Sequence, residues 1–219
     1  MRSVTLMSAL MLAAPLGAQT FEGTVTMRMS VPDGEPMEMK VHHADGKQAV
    51  VMTGPGGMDM RMVMNMAESR MTTFMSMPGA PGGGKIKMVS PMNNAGEGAG
   101  AEADLSVKKL GTTQTVAGMR CDDYEVTDPK TDKPFRMCMT EALGRLNMPM
   151  GGPGQGNSAP AWSRAFGNRP IFPLKVWDTD SHVAVEVISV DRGTPDKALF
   201  DENTPGYMTA PGGFGGRRN

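Results

Sequence analysis

The stretch MDMRMVMNM (58–66) places methionine at every second position, with Asp59, Arg61, Val63 and Asn65 between the methionines. Successive side chains of a β-strand point to opposite sides, so a strand would collect all the sulfur atoms on one face. A helix would instead scatter the same methionines around its axis. The alternation therefore predicts a strand. It also raises the question of whether the thioethers are metal ligands or only an apolar face.

Runs with similar alternation, separated by polar turns, occur at 24–31, 37–43, 47–53, 70–77, 85–89, 173–178 and 182–190. Together they predict a mainly β (α+β) fold, built on an antiparallel sheet that exposes one face to water. Two short helices are also expected. One covers EALGRLN (141–147), after Thr140 as N-cap, and the other runs from Ser158 to Gly167.

The N-terminus has the three parts of a secretory signal. Arg2 supplies a positive charge, residues 4–12 form an apolar run, and residues 15–18 provide a small-residue exit. We therefore expect cleavage near Ala18 and a periplasmic or secreted protein. The apolar run is shorter than the roughly 20 residues that span a bilayer, which predicts no transmembrane anchor.

The chain after residues 1–18 is long enough for one domain, which we assign to residues 19–208. Within this domain, glycine-rich stretches at 78–84, 93–103 and 149–157 have little to bury, and they predict loops. The remaining residues, 209–219, are also rich in glycine and predict a disordered tail.

Composition and motifs exclude several functions. The formal net charge is -1 without a basic stripe, so nucleic acid is not an expected partner. Neither G-x-S-x-G nor H-E-x-x-H occurs, and adjacent His42 and His43 point to opposite faces of a strand. Asp178 and Asp180 fit an exposed turn better than a calcium site, which needs more oxygen ligands. We expect a monomeric binding protein that has no enzymatic activity and needs no cofactor.

Cys121 and Cys138 are the only cysteines, and in an exported protein they are expected to form a disulfide. The segment 116–140 predicts a hairpin with its turn in TDPKTD. Centring the hairpin in that turn places Cys121 opposite Cys138 and Tyr124 opposite Phe135. Directly opposed residues are close enough for their side chains to contact each other. Because Cys121 alternates with two acidic residues, the bond is predicted on the polar face as a structural link.

Four segments carry a resemblance to known proteins: FEG (21–23), TQTVAGMRC (113–121), FRMCMTEALG (135–144) and LFDENTPGYM (199–208). They resemble a family of exported bacterial proteins described as a domain of unknown function. The last segment is also similar to the closing strand of the periplasmic lipoprotein-carrier (LolA-like) proteins. The resemblance implies a strongly curved antiparallel sheet, a half-barrel, with short helices packed in its concave side. The carrier proteins hold acyl chains there.

Methionine is the main bulky aliphatic residue of the chain, with 24 copies. Burying one methionine contributes roughly 1.5–3 kcal/mol, so a row of them is first of all a core face. Methionine is also flexible and accepts varied apolar partners. We therefore predict a carrier of a hydrophobic ligand, an acyl chain or a lipidated partner. Its concave sheet would be lined by Met27, Met29, Met60, Met62, Met64, Met71 and Met75.

Two other functions stay open at the level of sequence. Thioethers suit Cu(I), and Met37, Met39 and His43 share one face of a predicted strand, which makes them candidate copper ligands. A structural envelope protein would instead have its concave side filled and would bind no ligand.

Overall fold

The computed structural model describes residues 21–30, 34–79, 84–92, 105–128, 133–146 and 170–210. The described strands are β1 (Gly23–Met29), β2 (Met37–Ala44), β3 (Lys47–Thr53), β4 (Asp59–Asn65), β5 (Arg70–Ser76), β6 (Lys85–Pro91), β7 (Ser106–Val116), β8 (Met119–Asp128), β9 (Lys133–Thr140), β10 (Phe172–Asp178), β11 (Val183–Arg192) and β12 (Met208–Thr209).

All these strands belong to one curved sheet that does not close into a ring. Their order is β12-β6-β5-β4-β3-β2-β1-β11-β10-β9-β8-β7. Neighbouring strands are antiparallel except β12, which runs parallel to β6. The predicted mainly β fold with a curved antiparallel sheet is therefore confirmed.

The predicted helices are not supported where the structure describes the chain. Residues described here contain no α-helix, and their only helical pieces are the 3-10 turns Pro55–Gly57 and Lys197–Phe200. Over 141–146 the chain makes a turn, in which the Gly144 amide donates to the Glu141 carbonyl at 3.3 Å. Gly144 has a φ of +72°, a value that ends a helical turn, so this predicted helix is wrong.

Several other predictions fall outside the described residues. These are the signal peptide, the loops at 93–103 and 149–157, and the helix at 158–167. The predicted tail, 209–219, also lies outside the described residues except for Thr209, which belongs to β12, and Ala210, whose amide donates to the Lys87 carbonyl.

Strand β7 was missed because its sequence lacks alternation. Lys108 and Lys109 are adjacent, and Gly111 has a φ of +76° where the pairing with β8 is irregular. Most side chains of β7 are exposed, since it lies at the end of the sheet. An edge strand buries neither face completely, so it shows little hydrophobic patterning.

The main core lies on the methionine-bearing side of the sheet. Its fully buried members include Val25, Met27 and Met39 from the central strands. Leu143 and Leu146, from the turn after β9, belong to the same cluster. The thioether-bearing side of the central strands is therefore turned away from water, as the alternation predicts.

The opposite side of β3–β6 is not the solvent-exposed face that was predicted. Val63 and Phe74 point to that side, yet they are 0% and 1% exposed. The C-terminal segment, defined here as residues 194–210, packs across them: Tyr207 contacts the Phe74 ring edge-on at 5.0 Å. Phe200 joins a small cluster with Ala49 of β3. Alternation within a strand cannot predict that the C-terminal segment, which is distant in sequence, packs on this face.

The predicted disulfide between Cys121 and Cys138 is confirmed, but its surroundings differ from the prediction. Cys138 is directly opposite Asp123, so the hairpin register is two residues away from the predicted one. A shift of two residues keeps every side chain on its own face, which is why the sulfurs still meet.

The disulfide is also buried instead of lying on a polar face. Cys121 and Cys138 belong to the main core cluster. Asp123 shares this burial because Thr112 and Gln114 donate hydrogen bonds to its carboxylate at 2.7 and 2.9 Å. Satisfied hydrogen bonds allow a carboxylate to be buried beside the core.

Candidate functional site

Five methionines from five adjacent strands form a continuous row across the sheet. Directly opposed residues pair Met27 with Met39, Met39 with Met52, Met52 with Met60, and Met60 with Met75. We call this row the methionine ladder. Opposed residues have Cβ atoms about 4.5–5.5 Å apart, closer than the roughly 6.8 Å between same-face neighbours along one strand. The sulfur atoms are therefore concentrated across the strands more than along them.

Exposure changes along the ladder. Met27 and Met39 are buried, whereas Met52, Met60 and Met75 are each partly exposed. One end of the ladder is thus core, and the other end reaches the surface. An apolar surface that continues from the core in this way is accessible to a ligand without a rearrangement of the sheet.

The same face of β3–β6 carries no ionisable side chain. Besides the ladder, the cross-strand registers place three uncharged polar residues there, Gln48, Thr73 and Ser90. The remaining residues of this face are apolar: Val50, Met62, Met64, Met71, Ile86 and Met88. We call these positions, together with Met52, Met60 and Met75, the methionine face. A surface of this kind can contact an apolar group, but it has no charged side chain that could pair with a charged one.

The sequence-predicted ligand-lining residues all lie on this side of the sheet. Met27, Met62 and Met64 are buried in the main core. Partial exposure is found for the other four, Met29, Met60, Met71 and Met75.

The three candidate copper ligands of β2 are not brought together. Met37 is opposite Met29, Met39 lies in the ladder, and His43 is opposite Gln48. Met37 and His43 are six residues apart along one strand, which corresponds to about 20 Å. One ion cannot contact both of them while β2 stays a strand.

His43 instead has a structural environment. Its ring makes an edge contact with Phe21 at 5.4 Å and a tilted contact with Phe172 at 6.4 Å. Burial lowers the pKa of His43 to about 4, and the neighbouring His42 adds to this effect. His43 is therefore neutral at neutral pH, and its ring packs against two aromatic residues of the core.

The opposite face of β3–β6 is polar and already occupied by the C-terminal segment. Glu202 is buried there, and its carboxylate accepts hydrogen bonds from Arg70 Nε at 2.9 Å and Thr72 Oγ1 at 3.0 Å. Lys47 lies 3.8 Å from the same carboxylate. Burial acts to raise the pKa of Glu202, but these bonds and the charge of Arg70 outweigh it, so the pKa is lowered.

Arg61, the cation within MDMRMVMNM, also binds the C-terminal segment. Its guanidinium donates to the carbonyls of Ala198 at 2.6 Å and Asp201 at 3.2 Å, and to Thr204 Oγ1 at 2.5 Å. It also lies over the Phe74 ring at 4.2 Å. The stretch MDMRMVMNM therefore contributes to both faces of the sheet. Its methionines form part of the methionine face, and its Arg61 binds the C-terminal segment on the opposite face.

A cavity of about 650 Å³ opens between the sheet and the C-terminal segment. Its wall includes Lys47, Arg70 and Lys87, together with Glu68 and Glu202. Positive and negative groups are mixed, and Arg70 and Lys47 already pair with Glu202. We attribute this cavity to the attachment of the segment.

Asp178, Asp180 and His182 come together in the turn between β10 and β11, with possible ligand atoms within 4.8 Å of one another. Their hydrogen bonds fit the predicted exposed turn. The Asp178 carboxylate accepts from the His182 amide at 2.8 Å, and this bond lowers the pKa of Asp178.

Hydrophobic patterning does not indicate that Arg61 and Glu202 are interacting residues. Glu202 follows the acidic Asp201 in the turn-forming stretch LFDENTPGYM, so its residue type does not single it out as a member of a buried ion pair. No signal in the sequence connects it to Arg70, which is 132 positions away.

The fold and its faces define an open, curved β-sheet protein with an uncharged apolar face. The chain belongs to the family described as Domain of unknown function (DUF4412), whose model matches residues 21–205. This confirms the resemblance to a family of unknown function, while the likeness to the lipoprotein carriers stays a prediction. None of the helical pieces in the described ranges is long and apolar enough to cross a membrane.

Two solved structures of PNGF-II, in space groups C2 and P21, are similar to this chain at 14% sequence identity. The TM-scores are 0.47 and 0.45, over 85% and 87% of this chain. The matches cover only 30% and 32% of the PNGF-II chains, so this chain spans about a third of their length. No curated protein matches the chain.

Proposed function

We propose that this is an exported binding protein, not an enzyme, which holds an acyl chain of a lipid or of a lipidated partner on the methionine face. The observation that supports it is the partly exposed end of the methionine ladder, Met52, Met60 and Met75, continuous with the buried core. Water-exposed thioethers in a row are costly unless something apolar covers them.

The chemistry of the face favours an aliphatic chain as the ligand. The described positions of this face contain no charge and few hydrogen-bonding groups, so a polar or charged molecule would lose its hydration there without compensation. Methionine side chains have three rotatable bonds and fill irregular space, which suits a flexible chain of variable length. Covering the exposed part of one such methionine contributes on the order of 0.5 kcal/mol to binding.

The first experiment asks whether the protein carries a lipid. Protein secreted or purified from the periplasm would be analysed by native mass spectrometry, and delipidated protein would be titrated with a fluorescent fatty-acid analogue. We expect a co-purifying lipid and saturable uptake of the probe. Absence of both would overturn the proposal and leave a structural envelope protein.

A pair of variants locates the binding surface. Replacing Met60 and Met75 together by glutamine keeps the side-chain length and the lack of charge but removes the apolar character. We expect the fatty-acid analogue to bind at least tenfold more weakly. Thr53→Gln with Ser76→Gln, on the opposite face of β3 and β5, is the matched control. Equal affinities in both double variants would move the ligand away from this face.

A further inference from the structure

We infer that Met52, Met60 and Met75 form a binding site for a soft monovalent metal ion, Cu(I). This inference is independent of the acyl-chain proposal, because it rests on sulfur chemistry and not on apolarity. It also differs from the copper ligands Met37, Met39 and His43 considered from the sequence.

The register of the strands brings the three methionines side by side. Met60 is directly opposed to Met52 on one side and to Met75 on the other. The three Cβ atoms follow one another at about 4.5–5.5 Å, and each side chain has three rotatable bonds beyond the backbone. Three sulfur atoms from three adjacent strands can therefore converge on one point above Met60.

An ion can reach only one end of the methionine ladder within the described strands. Met39 and Met27 continue the ladder, but both are buried in the core, where an ion would have to lose all its water without a path. Met52, Met60 and Met75 are partly exposed. The site is thus at the only part of the ladder that an incoming ion, or a donor molecule that delivers it, can reach within the described strands.

The charge and softness of the thioether ligands favour a monovalent ion. Thioethers are neutral, soft donors that suit Cu(I), and no carboxylate lies on the methionine face of β3–β6. A neutral ligand set cannot compensate a second positive charge, so a monovalent ion is favoured over Cu(II) or Zn(II). In the compartment predicted from the signal sequence, no cytosolic thiol pool competes for the ion.

Leucine substitutions separate this inference from the acyl-chain proposal. Methionine to leucine conserves volume and apolarity but removes the sulfur. The full chain would be titrated with Cu(I) without oxygen, in competition with a chromophoric Cu(I) chelator. We expect one equivalent to bind, with Met60→Leu weakening it at least tenfold and Met52→Leu or Met75→Leu weakening it less. Fatty-acid binding should be unchanged in all three.

Met62→Leu is the matched control. Met62 lies on the same strand and face as Met60, but its opposed neighbours are Val50 and Thr73, which have no sulfur. We expect its Cu(I) affinity to equal that of the wild type. Equal affinity of wild type and Met60→Leu, or no competition with the chelator by the wild type, would overturn the inference. Met75→Leu provides the same test if Met60→Leu is poorly folded.

Discussion

The two faces of strands β3–β6 share one backbone but are stabilised in different ways. On the methionine face, the contacts are apolar, flexible and without charge. On the opposite face, Arg61 and Glu202 fix the C-terminal segment through hydrogen bonds of defined direction. The C-terminal segment covers one face, whereas the other is core at Val50 and Met64 and partly exposed at Met52, Met60 and Met75.

This difference indicates what each face tolerates. Apolar contacts between methionines have little directional preference, so exchange for another apolar residue of similar volume changes little. Hydrogen bonds from Arg61 depend on the planar fork of its guanidinium, which no other side chain reproduces.

The largest effect is expected for Met39→Ala, in the buried part of the ladder. Met39 is 1% exposed, and removing its side chain leaves a cavity that costs between about 2 and 5 kcal/mol of unfolding free energy. Urea unfolding measures this loss. Glu38→Ala, at the next position on the exposed side, should change stability by less than about 0.5 kcal/mol. Similar losses in both variants would show that the methionine side is not the core.

The second effect is a loss of stability in mild acid caused by His43. Its pKa is about 4 in the folded protein against 6.5 in the unfolded chain, so the unfolded state takes up the proton first. The stabilisation is present above pH 6.5 and is lost as the pH falls to about 4, by about 3 kcal/mol.

Denaturant unfolding of the wild type and of His43→Gln across this range tests the effect. Glutamine cannot take up a proton, so the variant should depend less on pH. Some dependence remains, because burial also lowers the pKa of His42. Parallel curves for the two proteins would contradict the assignment.

Arg61→Lys tests the opposite face. A lysine ammonium cannot reach Ala198, Asp201 and Thr204 together, so we expect a loss of about 2 kcal/mol and faster hydrogen exchange in the C-terminal segment. Arg28→Lys, at an exposed position of β1, is the control. If exchange in the segment stays at the wild-type rate, Arg61 does not hold it.

The smallest effect is expected for Glu202 in acid. Its lowered pKa means that the stabilisation is present above the unfolded value of 4.5 and is lost as the pH falls below it. The effect is small because its partner Arg70 is 41% exposed, and solvent weakens such pairs. Glu202→Gln should flatten the stability curve below pH 4.5, whereas Glu38→Gln should not. Identical acid curves would exclude this role.

Much of the sheet could be predicted from local patterning. Strand β3 has the bounds expected from the sequence, and β4 lies within MDMRMVMNM. Alternation is a local property, since one face of a strand contacts the core at every second residue. Where the alternation is absent, as in β7, the strand was not found.

Alternation does not determine the register of the β8–β9 hairpin. Two registers that differ by two residues present identical faces, so the pattern of Cys121, Asp123 and Cys138 fits both. The disulfide was predictable because either register brings the cysteines near each other. Its burial was not, because other members of its core cluster, such as Leu143 and Leu146, join it only after the chain turns back.

Local alternation is enough to identify MDMRMVMNM as a strand with its sulfur atoms on one side, because only a strand repeats its side-chain direction every two residues. Composition adds that part of this side is core, because methionine is the main bulky aliphatic residue available to fill one. The folded chain alone shows which methionines are opposed across strands. It also shows that the C-terminal segment covers the other face. Both depend on the pairing of residues distant in sequence, which hydrophobic alternation does not encode.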